Sequence, residues 1–158
     1  MKKCSKCGET KEENEFYACK GYKDGLHSFC RTCLGKNTTR YLQRTPKGVA
    51  QKLLSAMKHN SKKRGLEWDD SWWTASLVLE RIEGKACEVT GVPFEFGAVP
   101  KKNQRRPFVP SPDRKDNAIG YRPDNVQFVV WIYNLMKNSF SDEDVARFLL
   151  TLKDTKKT

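Results

Sequence analysis

Two cysteine pairs, Cys4-Ser-Lys-Cys7 and Cys30-Arg-Thr-Cys33, restrict this chain more than any other feature. Each CxxC turn carries two sulfurs to one side of a tight loop, and two such turns complete a tetrahedral shell for Zn²⁺. The stretch around them, Met1 to Gly35, holds five of the six cysteines and few aliphatic side chains. It cannot build a hydrophobic core, so a metal must organise it, and binding energy there is folding energy. The gap between the pairs, Glu9 to Phe29, suits a zinc-ribbon-like loop. A closed Cys4 shell has no open coordination position, so this zinc is expected to hold structure and do no chemistry. Cys19 and His27 are left over and read as a loop thiol and a surface imidazole, although either has the chemistry to replace a ligand.

The 158 residues fit one compact domain or a core with a small appended module, and at 37% hydrophobic content that core needs a staple. No run approaches the roughly 20 apolar residues of a membrane span, and no secretory apolar segment opens the chain. A soluble, cytoplasmic protein is expected, where thiols stay reduced and close cysteine pairs hold metal. The formal net charge of +11 points to a polyanionic partner, nucleic acid before an anionic membrane surface.

Nine basic residues lie between Lys36 and Leu66 without a single Asp or Glu: Lys36, Arg40, Arg44, Lys47, Lys52, Lys58, Lys62, Lys63 and Arg64. Pro46 is placed to open a helix and Gly65 to close it. Val49, Leu53 and Met57 recur at i, i+4, i+8, a narrow apolar stripe on a basic helix. A helix made for solubility interleaves acids at i,i+4, and this one has none. It reads as a phosphate-contacting helix, with Lys52, Lys58, Lys62, Lys63 and Arg64 as its contacts.

Asp69, Asp70 and Ser71 offer N-caps for a short helix from Trp72 to about Glu83, ended by Gly84. Its buried face would be Trp72, Trp73, Leu77, Val78 and Ile82. Ala86 to Gly91 reads as a short strand and turn, followed by a basic loop with Lys101, Lys102, Arg105 and Arg106. Val126 to Val130 is a strand by composition. Trp131 to Asn138 reads as a helix, and Ser141-Asp142-Glu143-Asp144 caps another through Lys153.

The run PSPDRKD…GYRPDNVQFVVWIYNLMKN, with the two N-terminal knuckles, resembles the ββα-metal core of HNH endonucleases of phage and restriction type. The resemblance covers the zinc module and about Ala86 to Phe140. It implies an acid ending the first strand and an Asn on the helix that together hold one divalent ion. By position these are Asp113 and Asn134, with Asn138 as the alternate ligand on the same helix face. It also implies that Asn125 fixes the loop between the strands. Asp and Asn oxygens suit a hard ion such as Mg²⁺ or Mn²⁺, which polarises a phosphoryl oxygen and neutralises charge on the leaving oxygen.

One position departs from the family. Where most HNH enzymes carry a water-activating His, this chain has Arg114. A guanidinium cannot act as a base, but it can clamp the scissile phosphate bidentately. The source of the nucleophile stays open: His59, Tyr121 or Tyr133 as base, or hydroxide already bound to the metal. Cys87 stands where relatives carry a further CxxC knuckle, but Thr90 holds the partner position, so Cys87 is expected as a small buried residue.

The expected fold is α+β in three parts: a Cys4 zinc-knuckle module (1–35), a basic DNA-contacting helix or linker (36–66), and a ββα-metal nuclease core with flanking helices (67–158). The expected function is a DNA endonuclease or nickase with structural Zn²⁺ and catalytic Mg²⁺ or Mn²⁺. Double-stranded DNA is the partner, a membrane is not, and a homodimer is left open. A phage origin, acting in a bacterial cytoplasm, goes with the resemblance. The alternative is a zinc-finger nucleic-acid-binding protein on a degenerate HNH scaffold.

Overall fold

The structure is a computed structural model and describes residues 1–97 and 106–155. The chain separates into two compact units, Met1–Leu42 and Gln43–Thr158.

In the first unit, β1 (Lys2–Lys3) pairs antiparallel with β2 (Thr10–Lys11), and the first knuckle forms the turn between them. A 3₁₀ turn at Glu13–Glu15 leads into β3 (Phe16–Ala18), which pairs antiparallel with β4 (Leu26–Cys30). Only Phe16, Cys4 and Cys30 form a buried cluster here, with Leu26, Phe29 and Cys33 against it. So small a cluster cannot outweigh the entropy of ordering the unit, and a metal on the cysteines would supply the remainder. Helix α1 (Arg31–Arg44) starts on the second knuckle and buries none of its residues.

Pro46 begins helix α2 (Pro46–Arg64), and the Thr45 hydroxyl accepts from Gly48 N–H as its N-cap. Gly65, at φ 65°, returns its N–H to Lys62 and Ser61 carbonyls and ends the helix in the left-handed conformation that glycine tolerates. Val49, Ala50, Met57 and Ser61 are its buried face.

Helix α3 (Ala75–Ile82) starts later than the sequence suggested. Thr74 is its cap, accepting from Leu77 N–H, while Asp69 closes a separate turn through Ser71 N–H and Trp72 N–H. The delay has a packing cause. Trp73 lies ahead of the helix with its indole N–H on the Tyr121 carbonyl (2.7 Å) and its ring edge-on to Phe128. Trp73, Val78 and Ile82 are buried as expected, but Trp72 is only half-buried and Leu77 faces solvent.

The expected strand at Ala86–Gly91 is a tight turn with one isolated bridge, Ala86 to Pro93. The partner of β6 (Val126–Val130) is β5 (Pro110–Arg114), antiparallel, with Asp113 opposite Gln127. Two prolines suit this strand because it has only one neighbour. Pro110 and Pro112 are two residues apart, so both missing N–H groups fall on its unpaired edge. All five β6 residues are buried. Helix α4 (Trp131–Lys137) follows directly, and α5 (Asp142–Thr155) is capped by Ser141 and Asp144 exchanging side-chain and backbone hydrogen bonds. The fold is α+β: helices around small antiparallel pairs, with a four-cysteine cluster in the first unit.

Candidate functional site

The sulfurs of Cys4, Cys7, Cys30 and Cys33 all lie within 4.8 Å of one another, and Cys30 and Lys6 N–H donate to Cys4 Sγ. Burial pushes the Cys4 thiol up, yet backbone donors from Cys30, Cys7 and Lys6 outweigh it and hold it at about 6. Burial and the neighbouring sulfurs push Cys33 up to about 12. Four thiolates cannot coexist in this space without a cation, so the cluster fits Zn²⁺. His27 accepts from Phe29 N–H and packs between Tyr22 and Phe29, and Cys19 is partly buried; neither belongs to the cluster. The Cys87–Gly91 turn repeats the knuckle's bonds: Gly91 N–H to Cys87 carbonyl as Gly8 to Cys4, with Thr90 N–H on Cys87 Sγ. Cys87 itself is buried, as expected.

In the second unit a cleft of about 520 Å³ opens between α2 and the β5–β6–α4 hairpin and helix. Leu53, Ala56, Asn60 and Arg64 line one wall at helical spacing; Ser111, Asp113, Arg114, Asn134 and Asn138 line the other. The ββα geometry creates that second wall. Helix α4 packs on the free edge of β5, where Asn134 Nδ2 caps the Pro112 carbonyl (3.0 Å) and Lys137 Nζ the Arg114 carbonyl (3.3 Å). Asn134 Nδ2 also donates to Ser111 Oγ (2.9 Å). Among the described residues no donor meets Asn134 Oδ1.

Asp113 is 4% exposed, and both its hydrogen bonds fall on Oδ2, from Lys137 Nζ at 2.6 Å and Gln127 Nε2 at 2.9 Å. Oδ1 has no partner among the described residues. Two hard oxygens, one carboxylate and one amide, thus belong to side chains lining one cleft, a donor set that fits Mg²⁺ or Mn²⁺. Asn138 lines the cleft just beyond α4 at φ 47°, a conformation favoured by glycine.

Arg114 is also buried, but its Nη1 donates to the Asn117 and Ile119 carbonyls and its Nη2 to Asn117 Oδ1, with the guanidinium over the Tyr121 ring. The fork expected for phosphate is directed at its own loop. Asn125 ties the same loop, accepting from Asp116 N–H and donating to the Asp116 and Gly120 carbonyls. A side chain at Gly120 would run into the Glu67 backbone carbonyl, which explains the glycine there.

Sequence reasoning gave several partners of Asp113 no role at the site. Lys137, Gln127 and Asp142 join Asp113 in one network: Lys137 Nζ reaches Asp142 Oδ1 at 3.3 Å, and Gln127 Nε2 reaches Asp142 Oδ2 at 3.0 Å. Tyr133 donates its hydroxyl to Asp142 Oδ1 at 2.5 Å. Burial and the Asp142 charge push that phenol up, away from service as a base near neutral pH. Burial opposes ionisation of Asp142, yet the Tyr133 and Gln127 donors and the Lys137 charge hold its carboxyl below the ordinary range. The one available signal was Lys137 at i+3 from Asn134, which puts both on one helix face.

On the basic helix, Lys52, Lys62, Lys63 and Arg64 are exposed, with Arg64 at the cleft. Lys58 pairs with Asp70 at 2.6 Å. His59 is exposed on α2, away from the cleft-lining positions, and no imidazole is among the described lining residues. Arg106 is half-buried and donates to the Gln43 carbonyl. Lys101, Lys102 and Arg105 lie outside the described residues.

No described helix is long and apolar enough to cross a membrane. No family model and no curated protein matches the chain. The chain is similar in structure to the rare-cutting HNH restriction endonuclease PacI, at 18% sequence identity and a TM-score of 0.40, over 91% of this chain and 87% of that one.

Proposed function

We propose that this chain is a metal-dependent DNA endonuclease or nickase whose site is the cleft between α2 and the ββα unit. One observation carries the reading: Asp113 and Asn134 line the same cleft, each with an unengaged oxygen, opposite a helix bearing exposed Lys and Arg. Asp113 and Asn134 would hold a divalent ion, which supplies polarisation of the phosphoryl oxygen and charge neutralisation at the leaving oxygen. Arg64 and the exposed lysines of α2 bind the DNA backbone, a contact that carries no sequence information. Asn125 and Arg114 keep the 115–120 loop beside the scissile phosphate. The N-terminal cysteines hold structural zinc and take no part in the chemistry.

A second reading, a nucleic-acid-binding protein that does not cut, draws on two observations. Arg114 directs its Nη donors at its own loop, and the described cleft lining has no imidazole base. An end-labelled duplex incubated with protein in Mg²⁺ or Mn²⁺, beside a gel shift in EDTA, separates the two. The nuclease reading expects metal-dependent fragments from a duplex that is also bound in EDTA. Binding with no fragments over a panel of duplexes supports the second.

A further inference from the structure

We infer that Gln127, Lys137 and Asp142 brace the Asp113 carboxylate, turning Oδ1 toward the cleft, so that the first turn of α5 is part of the metal site. The inference rests on reading Asp113 as a metal ligand. Its basis is an asymmetry. Both donors to Asp113, one from β6 and one from α4, meet Oδ2, and none among the described residues meets Oδ1. A carboxylate held by one oxygen from two directions cannot rotate without breaking both bonds, one of them a charged bond at 2.6 Å.

The donors are themselves fixed. Lys137 is 1% exposed, donates to Asp113 Oδ2 and the Arg114 carbonyl, and forms an ion pair with Asp142 Oδ1. Gln127 divides its amide between Asp113 Oδ2 and Asp142 Oδ2. Asp142 receives the Tyr133 hydroxyl as well. The charges also matter: two carboxylates face one ammonium, which leaves the cluster one negative charge in excess. A divalent ion at Oδ1 would more than offset it. An apolar set of similar volume would pack at least as stably, so stability alone does not account for a buried Lys between two acids. Partners that orient a metal-binding side chain from behind commonly change metal affinity 10–100-fold when removed.

The test is Mn²⁺ binding by the full-length, zinc-loaded protein without DNA, read from the electron paramagnetic resonance signal of free Mn²⁺, with thermal melts alongside. Asp113→Asn is expected to abolish the tight site. Gln127→Leu and Asp142→Asn are expected to weaken Mn²⁺ binding at least about tenfold while melting cooperatively above the assay temperature. Gln127→Leu changes no charge, so its effect isolates orientation from electrostatics. Lys137→Met leaves Asp113 buried and unpaired and is expected to melt early, so the two milder variants decide. Mn²⁺ affinity unchanged in both, with Asp113→Asn still impaired, overturns the brace and keeps Asp113 as a ligand. Asp113→Asn binding like the wild type overturns the ligand reading and the brace together.

Discussion

Asn134 donates its side-chain amide to the Pro112 carbonyl on the free edge of β5, a 3.0 Å bond that docks α4 beside Asp113 and leaves Asn134 Oδ1 unengaged. The same proline that deprives the edge of a donor thus leaves a carbonyl for the helix to cap. Asn134→Ala removes the oxygen and the cap together. Cleavage is expected to fall at least about 100-fold, while loss of the hydrogen bonds lowers stability by only about 1–2 kcal/mol. Single-turnover rates and urea unfolding of the same preparation measure the two effects.

The proposed grip of the basic helix on DNA predicts a salt dependence. Each phosphate neutralised by Lys or Arg contributes about 0.9 to the slope of log affinity against log salt. Replacing Lys62, Lys63 and Arg64 by Gln is expected to reduce that slope by roughly 2–3, measured by fluorescence anisotropy in EDTA. Lys58→Gln is expected to change it less, because Lys58 is already paired with Asp70.

The zinc unit predicts a local unfolding. With a buried cluster of only Phe16, Cys4 and Cys30, stripping the metal or replacing Cys33 by Ser should release protection of backbone amides in residues 1–42. The β6 amides, packed in the larger core around Phe128, should stay protected. Hydrogen exchange followed by mass spectrometry reads both regions at once, and elemental analysis should find about one Zn²⁺ per chain before stripping.

Asp142 predicts an acid limb in the stability curve. Its carboxyl is held below its ordinary value of 3.8 in the folded state. A depressed carboxyl stabilises the fold above its unfolded pKa, and that contribution is lost as pH falls through the lower folded value. The wild type should therefore lose melting temperature between about pH 5 and pH 3 more steeply than Asp142→Asn. Parallel curves for the two proteins would contradict the shift.

These predictions depend unevenly on what the sequence made legible. The four-cysteine cluster was readable because CxxC spacing is local geometry, and the ends of α2 because Pro46 and Gly65 act through their own backbones. The strand β6 and the cap at Ser141 were readable for similar reasons. The start of α3 was not, because Trp73 is held by Tyr121, 48 residues away, and no local pattern encodes that bond. The strand β5 was not readable from composition, because two prolines argue against a strand unless one edge is known to be free; only the resemblance placed Asp113 on a strand. Lys137 was hidden most completely: a lysine on a helix reads as solvated until Asp113 and Asp142 are known to meet it.

Asp113 is proposed to contribute to a metal-dependent cutting site. The most direct measurement is conversion of supercoiled plasmid to open-circular or linear DNA by purified protein, with Mg²⁺, Mn²⁺ or EDTA, beside Asp113→Ala at matched DNA affinity. Metal-dependent conversion by the wild type and a loss of at least about 100-fold in the variant are expected. Equal conversion by both proteins, or binding without conversion across metals and plasmids, would contradict the proposed role.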